Sequence, residues 1–89
     1  MQTPEETLFN FPCEFPIKAM GLASEHFDAL VVSIVRRHAG DIAEGAVTTR
    51  ASSGGKYLAV TVTIQASSRA QLDAIYHDLV AAEQVLMAF

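Results

Sequence analysis

Cysteine is almost missing from this chain. Cys13 is the only one, which excludes an intramolecular disulfide and any metal site built from several thiolates. A reducing compartment, the cytoplasm, is the simple inference. Positive charge is scarce too: six Lys and Arg against ten Asp and Glu leave a net charge of −4. That balance argues against a surface built to attract phosphate backbones, and so against a nucleic-acid partner. No apolar run approaches the roughly 20 residues that a membrane span needs. The acidic pair Glu5 and Glu6 stands where a signal peptide would carry its basic n-region. A cytoplasmic protein with no membrane partner is therefore expected. Internal repeats, low-complexity tracts and a second domain are also missing.

What is present suits one small soluble domain. The chain has 89 residues, 51% of them apolar, near the size at which folding buries roughly 60–65% of the unfolded surface without staples. The strongest local pattern runs from Ser52 to Ile64. Ser52-Ser53-Gly54-Gly55 is a turn signal, and Lys56–Ile64 alternates after it. Leu58, Val60, Val62 and Ile64 share one face of that strand, and Tyr57, Ala59, Thr61 and Thr63 share the other.

The remaining elements follow from spacing. Residues 1–12, with Pro4 and Pro12, read as an N-terminal arm pinned by Phe9 and Phe11, and residues 13–89 as the folded domain. Glu14–Met20 alternates as a first strand that Gly21 ends, with Pro16 making its beginning unpaired or irregular. Ser24 is the expected N-cap of a first helix reaching His38, with Phe27, Leu30, Val31, Ile34 and Val35 on its apolar face and Gly40 as its stop. Ala46–Arg50 is a weaker strand favoured by its β-branched residues. Ser68 with Gln71 forms a capping box for a second helix, Ser68–Ala82, lined by Leu72, Ile75, Tyr76, Leu79 and Val80. Gln84–Phe89 closes the chain as a short strand. The order β-α-β-β-α-β implies an α+β, ferredoxin-like two-layer sandwich. Right-handed crossovers place both helices on one face of a four-stranded antiparallel sheet, in the order 4-1-3-2. Leu30, Ile34, Val60, Val62, Ile75 and Leu79 should meet in one core.

Residues arranged for chemistry are not found. His26, His38 and His77 lie on two helices without metal-ligand spacing, and His38 reads as a cation at a helix C-terminus. Cys13 has no base assigned by any motif and sits beside Glu14. Asp73 and Asp78 read as solvated helix faces. Gly54-Gly55-Lys56 lacks the spacing of a phosphate loop. Gly55–Val60 echoes one strand of an RNA-recognition motif, but Ala59 and Thr61 stand where stacking aromatics would be needed. An acylphosphatase would need an arginine in the Gly21-Leu22-Ala23 loop and an asparagine on the third strand. No catalytic residue, cofactor or metal is expected.

Phe11-Pro12, Phe15, Lys18-Ala19-Met20-Gly21, the Ser52–Tyr57 turn, Thr61–Ile64 and Val85-Leu86-Met87 together resemble the YbeD-like small bacterial proteins of unknown function. The resemblance runs from about Leu8 to Phe89. It implies the ferredoxin-like fold and a likeness to ACT regulatory domains, hence a regulatory or interaction module without activity of its own. Some relatives are encoded near lipoate-biosynthesis functions, which implies as the alternative an enzyme or enzyme accessory of lipoate or acyl-group metabolism. One departure is that Gly54 stands where those relatives carry lysine, the lysine here being Lys56. ACT domains use a glycine between the first strand and first helix to approach a small ligand, and Gly21 matches it. The expected surface for a protein partner, self-association or a small-molecule ligand is therefore Met20, Gly21, Ser53, Gly54, Gly55, Lys56, Tyr57 and Thr61.

Overall fold

The structure is a computed structural model that describes residues 10–89. It contains β1 (Cys13–Leu22), α1 (Phe27–Ala39), β2 (Val47–Ala51), β3 (Tyr57–Ala66), α2 (Arg69–Ala81) and β4 (Val85–Ala88). All three strand pairings are antiparallel, in the order β2-β3-β1-β4, the expected order read from the other edge. Phe9 and the rest of the expected arm before Asn10 lie outside the described residues; Phe11 is half-buried against the core.

One core explains the two layers. Ile17, Ala19, Val60, Val62 and Ile64 project from one side of the sheet and are buried with Phe27, Val31, Ile34 and Val35 of α1 and Leu72, Ile75 and Leu79 of α2. Both helices therefore cover the same face, as the right-handed crossovers require. Of the six residues expected in the core, Leu30 alone is only half-buried, at its flank. Val80 departs further, being 69% exposed on the outer side of α2. A 13-residue helix packed on a sheet and one neighbour buries a narrow stripe, and Val80, next to the fully buried Leu79, falls outside it.

The caps are partly as expected. Ser68 Oγ accepts the Gln71 amide at 3.1 Å, but the Gln71 side chain turns back to the Ser67 amide, 2.7 Å away, instead of closing the box on Ser68. Ser24 does not cap α1. That helix begins at Phe27, its cap position is His26, and no side chain caps it. Gly40 ends α1 with φ of 74°, a conformation that favours glycine.

Pro16 is not unpaired. It lies opposite Thr63, and β1 pairs with β3 along its whole length. Lys18 and Phe89 exchange backbone hydrogen bonds of 2.8 Å, so the amide side of Pro16, two residues earlier, faces the β4 edge beyond that strand's end. The missing donor falls where no strand of the described residues runs.

Candidate functional site

Among the described residues no element covers the face of the sheet away from the helices, and its strand register fixes what it displays. Leu22 of β1 pairs with Tyr57 of β3. The next row runs Met87, Met20, Ala59, Arg50 across β4, β1, β3 and β2. The row after it runs Phe89, Lys18, Thr61, Thr48. Leu22, Met87 and Phe89 are 55%, 52% and 55% exposed. Apolar side chains thus cluster at the Leu22 end of this face, while Thr63, Gln65 and Glu14 occupy the other end.

Ala59 is the small residue in the middle of the second row, and its size leaves a depression. A hollow of about 170 Å³ lies between Met20, Tyr57, Ala59, Arg50 and Ser52. A second, of about 300 Å³, adjoins it across Arg50 and holds Lys18, Thr48, Thr61 and Phe89. The first is almost wholly apolar, and the second adds hydroxyls and a second cation.

The turn between β2 and β3 borders this face. Gly54 and Gly55 have φ of 87° and 73°, which L side chains rarely adopt, and nothing lies within 4 Å of where their Cβ atoms would be. Ser52 ties the turn shut, its hydroxyl accepting the Tyr57 amide at 2.9 Å. Lys56 Nζ sits 5.4 Å from the centre of the Tyr57 ring, a cation–π distance. Ser53, Gly54 and Gly55 are exposed at the turn tip.

Of the residues expected at the site, Met20, Lys56, Tyr57 and Thr61 converge on the open face or its rim, with Ser53, Gly54 and Gly55 beside them. Gly21 does not. It lies inside β1, not in a turn, and is buried on the helix side. A methyl group there would collide with the Gln84 carbonyl oxygen and stand 2.5 Å from the Phe27 ring. The β1–β4 register also shifts at Met20/Gly21. Glycine at this position lets the chain before β4 approach β1 closely, and the space a ligand would need is filled by protein.

Another cluster escaped the sequence. His38 Nε2 lies 2.7 Å from Asp78 Oδ2, joining the end of α1 to α2, with Arg37 3.9 Å from the same oxygen. The Gln71 side-chain amide donates to the His38 carbonyl at 3.0 Å in the same inter-helix seam. The His38 hydrogen bond, helped by His77 and Arg37, holds the Asp78 carboxyl below its ordinary value. Asp78 is therefore a helix-to-helix tie and not a free solvated carboxylate. Among the described residues no group of three or more His, Cys, Asp or Glu side chains is placed to hold a metal ion, and no helix is long and apolar enough to cross a membrane.

Comparison with known proteins places this architecture. A family model described as "Protein of unknown function (DUF493)" matches residues 6–89. A UPF0250 protein of Chromobacterium violaceum is 46% identical over 87 residues, 98% of each chain. Another, of Paraburkholderia phytofirmans, is 47% identical over 79 residues, 89% of each chain. The solution structure of protein HP0495 from H. pylori superposes with a TM-score of 0.73 over 100% of this chain and 97% of that one, at 10% identity, a likeness of fold. The YbeD-like resemblance read from the turn and strand motifs is borne out, and the chain belongs to the DUF493 family of proteins of unknown function.

Proposed function

We propose that this protein is a non-catalytic interaction module of the cytoplasm that docks a protein partner through the open face of its sheet. The observation that carries the reading is the apolar cluster of Met20, Leu22, Tyr57, Met87 and Phe89 on a face that no element of the described residues covers. Exposed large apolar side chains scattered singly need no explanation, but neighbours in adjacent cross-strand rows form a patch. Aromatic, Met and Arg side chains are also the types enriched where protein interfaces are most buried.

An ACT-like regulatory role is a finer form of the same reading, in which a small ligand tunes the docking. Its support is the hollow between Met20, Tyr57, Ala59 and Arg50; Gly21, packed against Phe27, supplies none. A thermal-shift screen of amino acids, lipoate and octanoate tests both this version and the link to lipoate or acyl-group metabolism, because a ligand bound only by the native state raises apparent stability.

Photo-crosslinking in living cells tests the docking face itself. A benzophenone amino acid at Tyr57 should give discrete protein adducts, and the same group at Val80, the most exposed large apolar residue of the helix layer, should give none. Adducts at Val80 alone would move the interface to the helices.

A further inference from the structure

The arginines of the helix layer all have carboxylate partners: Arg36 with Asp41, Arg37 with Asp78 and Arg69 with Asp73. On the open face Lys18 and Arg50 have none within ion-pair distance among the described residues. They stand in neighbouring rows on either side of β3, with the hydroxyls of Thr61 and Thr48 in the Lys18 row. Next to them, across Arg50, is the apolar hollow floored by Ala59. In a chain that is acidic overall, the described residues thus leave two cations unpaired beside the main exposed apolar cluster.

We infer that Lys18 and Arg50 form a carboxylate seat: the open face takes an acidic side chain of a different protein, with a large apolar side chain adjacent to it entering the hollow between Met20, Tyr57 and Ala59. The inference rests on the reading of this face as an interaction surface and adds the partner's chemistry. Arg50 and Lys18 would donate charge-assisted hydrogen bonds to the carboxylate, and the apolar neighbour would be desolvated against Met20 and the Tyr57 ring.

A second copy of this chain fits poorly. A two-fold contact through this face sets the same patch against itself, and the residues lining the two hollows include no Asp or Glu to offer the Lys18 and Arg50 of the other copy. A head-to-tail contact with the helix side would close into a ring or grow into filaments, and the Asp41, Asp73 and Asp78 carboxylates there are already paired with arginines. Nucleic acid fits poorly as well, since two cations and a net charge of −4 neutralise few phosphates.

The test uses the whole chain and three blocked twelve-residue peptides. In all three, phenylalanine or leucine stands two positions from one polar residue, so that both face the same side of an extended chain; the polar residue is glutamate, glutamine or lysine. Binding is followed by NMR through the Met20 and Met87 methyl groups and the backbone amides. The glutamate peptide should shift Met20, Arg50 and Thr61 and bind about tenfold or more tightly than the glutamine peptide. The lysine peptide should not bind. Arg50→Ala and Lys18→Ala should each remove most of the glutamate preference, while Ala59→Leu, which fills the hollow, should weaken the glutamate and glutamine peptides alike. Equal binding of glutamate and glutamine peptides on this face would overturn the carboxylate seat and leave the interaction face standing. Shifts confined to the helices would overturn both. A dimer in sedimentation that Ala59→Leu dissociates, or a single-stranded oligonucleotide binding more tightly than the glutamate peptide, would overturn the choice of partner.

Discussion

On the covered face of the sheet Ile17, Val60 and Val62 are fully buried under α1 and α2, whereas on the opposite face Leu22, Met87 and Phe89 each leave half or more of their surface in water. The same four strands build both faces, and alternation along β1 and β3 sends successive residues to one or the other. What differs is the partner. The covered face meets helices of its own chain, and their burial stabilises the fold. The open face carries apolar side chains and the cations Lys18 and Arg50, and nothing in the described residues covers the first or neutralises the second. Under the proposed function, one sheet separates stability from recognition, and substitutions on the two sides should have separable effects.

The largest effect is expected on the covered side. Ile75 is fully buried between α2 and the sheet, and Ile75→Ala should cost about 2–5 kcal/mol through lost transfer energy and a residual cavity. Urea denaturation measures it. Val62→Ala should cost on the order of 1–3 kcal/mol for the same reason, and a change below about 0.5 kcal/mol, the range of ordinary surface substitutions, would place Val62 outside the core.

Gly21→Ala sharpens the comparison from within a single strand. Met20 faces the open side and Gly21 the covered side, against the Gln84 carbonyl and the Phe27 ring. An added methyl should cost about 1–3 kcal/mol by overpacking. Met20→Ala, one residue away, should leave the unfolding midpoint nearly unchanged. Equal losses at the two positions would mean that β1 has no open side.

The smallest stability effect belongs to the seam between the helices. The Asp78 carboxyl is held below its ordinary value in the folded protein, chiefly by the His38 hydrogen bond. Folding therefore favours the ionised form. The stabilisation from this tie is fully present above the unfolded carboxylate pKa of about 3.9 and is lost as pH falls through the lower, folded value. The stability difference between the natural protein and Asp78→Asn should thus hold near neutrality and shrink below about pH 4. A difference that grows with acid would contradict the assignment.

How much of this could be read beforehand depended on the range of the interaction. Val60, Val62 and Ile64 declare their shared face within five residues, and the β-α-β-β-α-β order then fixes sheet topology through the handedness of crossovers. Met20, Tyr57 and Thr61 followed from that alternation. Arg50, Met87 and Phe89 did not, because β2 and β4 are short and the face each residue takes is set by its pairing partner. In β4 the register shift opposite Met20/Gly21 breaks simple alternation, so Val85 is buried while Leu86 and Met87 are both exposed. The His38–Asp78 tie joins residues 40 apart in sequence, and Gly21 needs its missing side chain only because Gln84 arrives from the far end of the chain. No local spacing encodes any of these.

The central claim is that the open face exists for contact and contributes little to folding, and Tyr57→Ala tests it most directly. Its affinity for the protein captured by the crosslinker, and its unfolding midpoint, should be measured on the same sample. Binding should weaken by about 1–2 kcal/mol, as for an aromatic interface anchor, while stability changes by no more than about 0.5 kcal/mol. A sharp fall in the midpoint with unchanged affinity would make Tyr57 a packing residue and contradict the account.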